Sequence, residues 1–202
     1  MRVLVAAAAA IVIACAHGES AGPTTTGDPA VQRPQAEASP APTDAQAAAE
    51  FNERVKTYSE LHKRLEGTLP RLPKEADPTA IDSHQRSLEK LLRTERRNAK
   101  HGDILTAGTR RYFRQVLSRV LGGKDGAALK ATIMDENPGK IALVVNSRYP
   151  DDVPLSTVPP QVLAALPKLP EELEYRFIGN RLILLDVHAH TIADYMDNAF
   201  SM

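Results

Sequence analysis

An α+β domain with helices first and a small antiparallel meander last is the fold class the chain predicts, and three observations predict it. Apolar residues recur at spacings of three and four through residues 44–121, the signature of one helix face after another. Beyond residue 140 the pattern changes to short apolar runs, "IALVV", "LEYRFI" and "RLILLD". Two of those runs flank Gly179-Asn180, a two-residue link that favours a tight hairpin.

The first helix is expected from Asp44 to Gly67, with Phe51, Val55, Tyr58, His62 and Leu65 along one face and Thr43 or Asp44 as its cap. Gly67 and the prolines of "TLPRLP" stop it. Asp77-Pro78 opens a second helix, cap and first turn in a favoured order, with Ile81, His84 or Gln85, Leu88, Leu91 and Leu92 inward and "KHGD" ending it at Gly102. A third helix runs from Thr106 to Leu121 before "GG", and a shorter one covers Gly126–Met134. Residues 140–146, "KIALVVN", read as a strand by length and composition. "VPPQVLAALPKLPEE" is a proline-bracketed turn of helix, and "TIADYM" supplies the last strand of the meander. "LPRLP" and "LPKLP" echo one another as rigid helix stops whose leucines pack on the domain.

Ahead of this lies "MRVLVAAAAAIVIACAHG", one Arg followed by an apolar run from Val3 to Ala14. The run falls short of the roughly 20 residues that span a bilayer and suits the core of a secretory signal. Val12-Ile13-Ala14-Cys15 fits a bacterial lipobox, and cleavage after Ala16 by the small-x-small rule is the competing reading. Cys15 is the chain's one cysteine, which favours lipidation over disulfide use. Residues 16–44 are rich in Ala, Pro and Thr and too poor in large apolar side chains to fold, so a disordered tether is expected. The expected division is a signal with lipobox over 1–15, the tether over 16–44, and one domain over 45–202, helical over 45–134 and strand-bearing over 140–196.

Net charge is zero but unevenly spread: residues 51–130 hold 18 Lys/Arg against 10 Asp/Glu, and residues 131–202 hold 5 against 10. Arg93, Arg96, Arg97 and Lys100 over two helical turns read as a basic surface, open to an envelope protein or an anionic polymer. Export removes the chain from nucleic acid. The basic half docking on the acidic half of its own chain is the simpler expectation.

"RLILLDVHAHTIADYM" carries the one constellation with a metal-site look. Its Asp-x-His-x-His resembles the segment that ends the first barrel strand of amidohydrolases and supplies two metal ligands. Only twelve residues follow His190 and none is a histidine, so the rest of such a barrel has nowhere to be built. Asp186, His188 and His190 alternate and can share one side of a strand, which leaves a three-ligand divalent-metal site as the alternative reading. The leading expectation is that "DVHAH" is an exposed hairpin connection, that no cofactor is held, and that both histidines tolerate replacement by Asn. His62 and His84 lie on apolar stripes and are expected as core histidines bonded to a neighbouring helix. No Gly-x-Ser-x-Gly elbow, His-Glu-x-x-His helix or phosphate-binding glycine loop appears, so no enzyme is expected.

The stretches "RVKTYSELHKRLEGTLPRLP", "ADPTAIDSHQRSLEKLLRTERRNAKHGDIL", "VPPQVLAALPKLPEELEYRF" and "GNRLILLDVHAHTIADY" resemble a group of exported bacterial proteins with no established activity. "GNRLILLD" with "IAD" is also similar to the ends of RcnB-type periplasmic proteins, linked to nickel and cobalt homeostasis. That second likeness is confined to the terminal hairpin and implies a motif that finishes a small sheet.

Together these readings describe an exported cell-envelope module, non-catalytic, held in the periplasm or at the outer membrane through a lipid on Cys15, or secreted if Cys15 carries no lipid. The alternative is a periplasmic divalent-metal-binding or metal-responsive protein using its C-terminal histidines. Intact mass of the membrane-extracted protein is expected to show a diacylglyceryl addition on a chain beginning at Cys15. A mature N-terminus at His17, or a Cys15→Ala variant that fractionates as wild type does, contradicts it.

Overall fold

The computed structural model describes residues 42–135, 137 and 141–201. Cys15, the leader and the tether as far as residue 41 lie outside the described residues. The fold is α+β, five helices and a three-stranded antiparallel sheet among the described residues.

Helix α1 spans Asp44–Glu66. Thr43 closes a capping box with Gln46, its hydroxyl accepting from the Gln46 amide at 3.2 Å while the Gln46 side chain takes the Thr43 amide at 2.8 Å. The Thr43 cap and the start at Asp44 are as expected, so these two residues belong to the first helix although the expected division places them in the tether. All five expected stripe residues of α1 are buried, His62 among them. Helix α2 spans Pro78–Glu95 behind the Asp77 cap, whose carboxylate accepts from the Ala80 amide at 2.8 Å. It stops at Glu95, seven residues before Gly102, and the chain turns back through a loop in which Gly102 takes a φ of 91°. Helix α3 spans Ala107–Leu121 with Thr106 as cap, α4 spans Gly126–Asp135, and α5 spans Pro160–Ala165. Of the echoed leucines, Leu166 is buried and Leu69 and Leu169 pack against the core, whereas Leu72 stays exposed.

Strands β1 (Leu173–Ile178), β2 (Arg181–Asp186) and β3 (Thr191–Met196) form the meander in the order β1-β2-β3. Gly179 opens the first hairpin with a φ of 61°, a left-handed conformation that costs glycine nothing. Register assigns the two faces. Leu173, Tyr175 and Phe177 stand opposite Asp186, Leu184 and Leu182 and look toward the helices. Ile178, Ile183, Leu185 and Ile192 look the other way into a second cluster with Leu143 and Tyr149.

The strand expected over 140–146 does not form; among the described residues of this segment, 141–149 lie beside β3 as irregular chain. The Asn146 amide donates to Ile192 O at 2.8 Å, the Ile192 amide to Ser147 O at 2.9 Å, and the Tyr149 amide to His190 O at 2.9 Å. One bridge, Arg148 to Thr191, is as far as the pairing goes. Asn146 at a φ of 64° turns the chain there, and Pro150 has no amide to extend the ladder. The apolar character of "IALVV" serves instead to cover the second face, with Leu143 buried and Ile141 packed beside it.

A bulge in β3 decides where its carboxylate points. Leu184 pairs with Asp194 but Leu185 with Ile192, leaving Ala193 as the extra residue. The phase therefore flips, and Asp194 turns to the helix side although Ile192 faces away. There, fully buried, it accepts from the amides of Gly102 (3.0 Å), Ile104 (2.8 Å), Leu105 (2.8 Å) and Tyr195 (2.8 Å). The loop between α2 and α3 thus ends on a carboxylate of the sheet, which explains why α2 stops early. Asp194→Ala strands several buried amides at once and is expected to destabilise by more than about 3 kcal/mol. Leu184→Ala, a pure packing loss, should cost about 2–5 kcal/mol. Denaturant unfolding measures both; a near-neutral Asp194→Ala contradicts the assignment.

Candidate metal centre

The helix face of β2 ends on Asp186, which is fully buried. Its Oδ1 accepts from the amides of His188 (3.1 Å) and Ala189 (2.8 Å), folding the chain into a tight turn immediately after the strand. Its Oδ2 accepts from the Tyr58 hydroxyl at 2.7 Å and meets His62 Nδ1 at 2.6 Å. An ionised carboxylate only accepts, so the proton sits on Nδ1 of His62. Nε2 of His62 is thereby left facing away from the sheet.

His62 is itself fully buried, and its Nε2 makes no hydrogen bond among the described residues. It lies 3.3 Å from Glu66 Oε2, one helical turn further along α1, outside hydrogen-bond geometry. Glu66 Oε1 in turn takes His188 Nδ1 at 3.1 Å, and the His62 and His188 rings cross edge to face at 5.2 Å between centroids. One donor atom from each of His62, Glu66 and His188 falls within 4.8 Å of the others. Asp186 behind His62, with His62 turned toward a carboxylate and a second imidazole, is the carboxylate–histidine arrangement that orients metal-ligating histidines. Glu66 also borders a cleft of about 480 Å³ lined by Lys63, Leu69, Arg71 and His84.

The trio of the alternative reading, Asp186, His188 and His190, does not converge. Asp186 points inward to Tyr58 and His62, His188 to Glu66, and His190 away toward Asp151, with Nε2 3.7 Å from Oδ1. A four-residue turn breaks the strand alternation on which that trio depended. "DVHAH" is the connection between β2 and β3, as expected, but it is not exposed: Ala189 is buried and both histidines are half-buried. His190 sits at a φ of 53°, a conformation Asn accepts readily. Of the basic residues, Arg93 pairs with Glu89, and Arg97 and Lys100 are exposed. Arg96 departs from a solvated role. It donates to Asn146 Oδ1 at 2.5 Å and to the bulge carbonyl of Ala193 at 3.1 Å, and lies 4.8 Å above the Tyr58 ring. His84, expected in the core, is only half-buried at the cleft, and His62, buried as expected, bonds a strand carboxylate in place of a neighbouring helix. Glu66 escaped the sequence reading, although His62 and Glu66 at i and i+4 share one helix face.

The two interior histidines titrate in opposite directions. Burial alone would lower the His62 pKa, but the hydrogen bond and charge of Asp186, then the charges of Glu66 and Glu172, outweigh it and raise it. Burial and then the Arg148 guanidinium lower that of His190, against the weaker pull of Asp151, Asp82 and Glu89. Burial, then the neighbouring Asp186, likewise holds the Tyr58 hydroxyl well above its ordinary value. No family model, no curated protein and no solved structure matches this chain.

The signs follow by linkage. The folded state holds the His62 proton more tightly, so that contribution is full below the unfolded value of about 6.5 and is lost as pH rises through the raised folded value. For His190 the contribution is full above about 6.5 and is lost as pH falls through the lowered folded value. In chelator, unfolding free energies of His62→Gln should lose the decline on the alkaline side. Those of His190→Asn should lose the decline on the acid side. A His62→Gln profile parallel to wild type contradicts the pairing with Asp186.

Proposed function

We propose that this protein is an exported, envelope-tethered module that binds a divalent transition-metal ion through His62, Glu66 and His188. The carrying observation is the buried Nε2 of His62, held by Asp186 toward a carboxylate and a second imidazole, with donor atoms within 4.8 Å of one another. Two imidazoles and one carboxylate suit zinc, nickel, copper or cobalt, and are a poor set for calcium or magnesium, which prefer oxygen throughout. The ion would draw Glu66 off His188 and join the end of α1 to the β2–β3 turn. The signal, lipobox and tether support a place at the membrane surface facing the envelope, and the reading is one of binding rather than turnover.

Titration of the purified protein with zinc should saturate at one equivalent. Thermal unfolding should shift upward, by about 2.7 kcal/mol of stabilisation at a hundredfold excess over Kd. His188→Ala and Glu66→Gln should abolish that shift, and His190→Asn should keep it. No stabilisation of wild type by zinc, nickel, copper or cobalt defeats the proposal, and a shift that vanishes in His190→Asn moves the site elsewhere.

A further inference from the structure

Asp186 Oδ2 accepts two side-chain hydrogen bonds, and the two donors compete for it. Nδ1 of His62 reaches this oxygen at 2.6 Å and the Tyr58 hydroxyl at 2.7 Å, while the amides of His188 and Ala189 take the other oxygen. Tyr58 stands one helical turn before His62 on α1, so the spacing that brings the imidazole to the carboxylate brings the phenol too. All three side chains are buried, and solvent does not screen the contest between the donors.

A hydroxyl that donates to a carboxylate stabilises its charge and leaves that oxygen a weaker acceptor for the next donor. Here the next donor is the imidazole that faces the metal site. The grip of a carboxylate on one ring nitrogen sets the basicity of the other, and with it the affinity for an ion. The phenol is biased in its turn. The Arg96 guanidinium lies 4.8 Å from the centre of the Tyr58 ring, held by its bonds to Asn146 and to the Ala193 carbonyl. A cation over the ring draws on its electrons and makes the hydroxyl a stronger donor. We propose that Tyr58 is a positioning residue of the metal site, acting through Asp186 to restrain the donor strength of His62 Nε2. This rests on the metal reading above and adds to it a residue that sets affinity without touching the ion. Arg96 strengthens the restraint from the far side of the ring. The arrangement suits an ion that is taken up and given back, because the fold supplies Asp186 with a donor that holds it off His62.

The test compares the full chain as wild type, as Tyr58→Phe, and with fluorotyrosine in place of Tyr58. Zinc affinity is read by chelator competition on the alkaline side, where a proton does not compete for His62. The Nδ1–H resonance of His62 is read by NMR in chelator, without metal. In Tyr58→Phe the carboxylate should pull harder on Nδ1–H and move that resonance downfield. Zinc binding should tighten about 3–10-fold, a part of the roughly 10–100-fold by which such supporting partners act. Fluorotyrosine, a more acidic phenol of nearly the same shape, should do the opposite and weaken zinc binding. A residue that served packing alone would not give this pair of opposite signs. Zinc binding in Tyr58→Phe equal to or weaker than wild type, or an unmoved Nδ1–H resonance, overturns the proposal. Should Tyr58→Phe not fold, the fluorotyrosine protein decides: weaker binding with an upfield resonance supports it, and wild-type values overturn it. Should wild type take up no zinc, the metal reading fails by itself, and the metal-free resonance still decides whether Tyr58 restrains His62.

Discussion

Two carboxylates buried in the sheet hold this fold together, and the remaining architecture is arranged to satisfy them. Asp186 ends β2 and Asp194 sits past the bulge of β3, both with no exposed surface, and each accepts four hydrogen bonds. Asp186 gathers the β2–β3 turn and helix α1, while Asp194 gathers the loop between α2 and α3. A carboxylate in an apolar interior is tolerable only when its lone pairs are filled. Each therefore acts as a register pin, because a slip of either strand by one residue would leave it facing the opposite layer without donors. The bulge at Ala193 is part of this device. It turns Asp194 toward the helices, and its carbonyl receives Arg96, which in turn lies on Tyr58, a donor to Asp186. The two pins are thus joined through one arginine and one tyrosine.

The same chemistry carries the functional reading. Asp186 fixes the tautomer of His62 by accepting a hydrogen bond from its Nδ1–H, the helix sets the free nitrogen beside Glu66, and the turn brings the His188 ring alongside. Nothing in this arrangement needs an additional element, since a residue that anchors the helix also presents the ligand. On the proposed metal reading, tertiary structure and metal affinity would be coupled. An ion bound to α1 and the β2–β3 turn would tighten the contact that Asp186 already makes, and loosening of that contact would release the ion.

Much of the fold was legible because it rests on local rules. The stripe of α1, the Asp77-Pro78 start of α2, the start of α3 at Thr106–Ala107 and the Gly179-Asn180 hairpin are all short-range signals, and each appears within a residue of where it is expected. The misreadings share a cause. "IALVV" has strand composition, but the segment itself turns at Asn146, so burial with only one bridge to β3 was the outcome. The end of α2 depends on a carboxylate 92 residues away from Gly102 in the chain, which no window reveals. At the site, Asp186 and His188 were visible as residues of interest, yet their alternation was taken to continue through a turn that reverses it. His62 was read correctly as buried, and the clue missed was its neighbour Glu66 on the same helical face. Long-range partners of single polar groups are what sequence pattern conveys least.

Diffraction at the zinc absorption edge from crystals grown or soaked with zinc tests the central claim most directly. The account predicts an anomalous peak about 2.0–2.2 Å from Nε2 of His62. Glu66 and His188 should be drawn onto it, and the Nδ1 bond of His62 to Asp186 should be kept. A peak at His190 and Asp151, or none at His62 with the His188 imidazole still closed on Glu66, would contradict it.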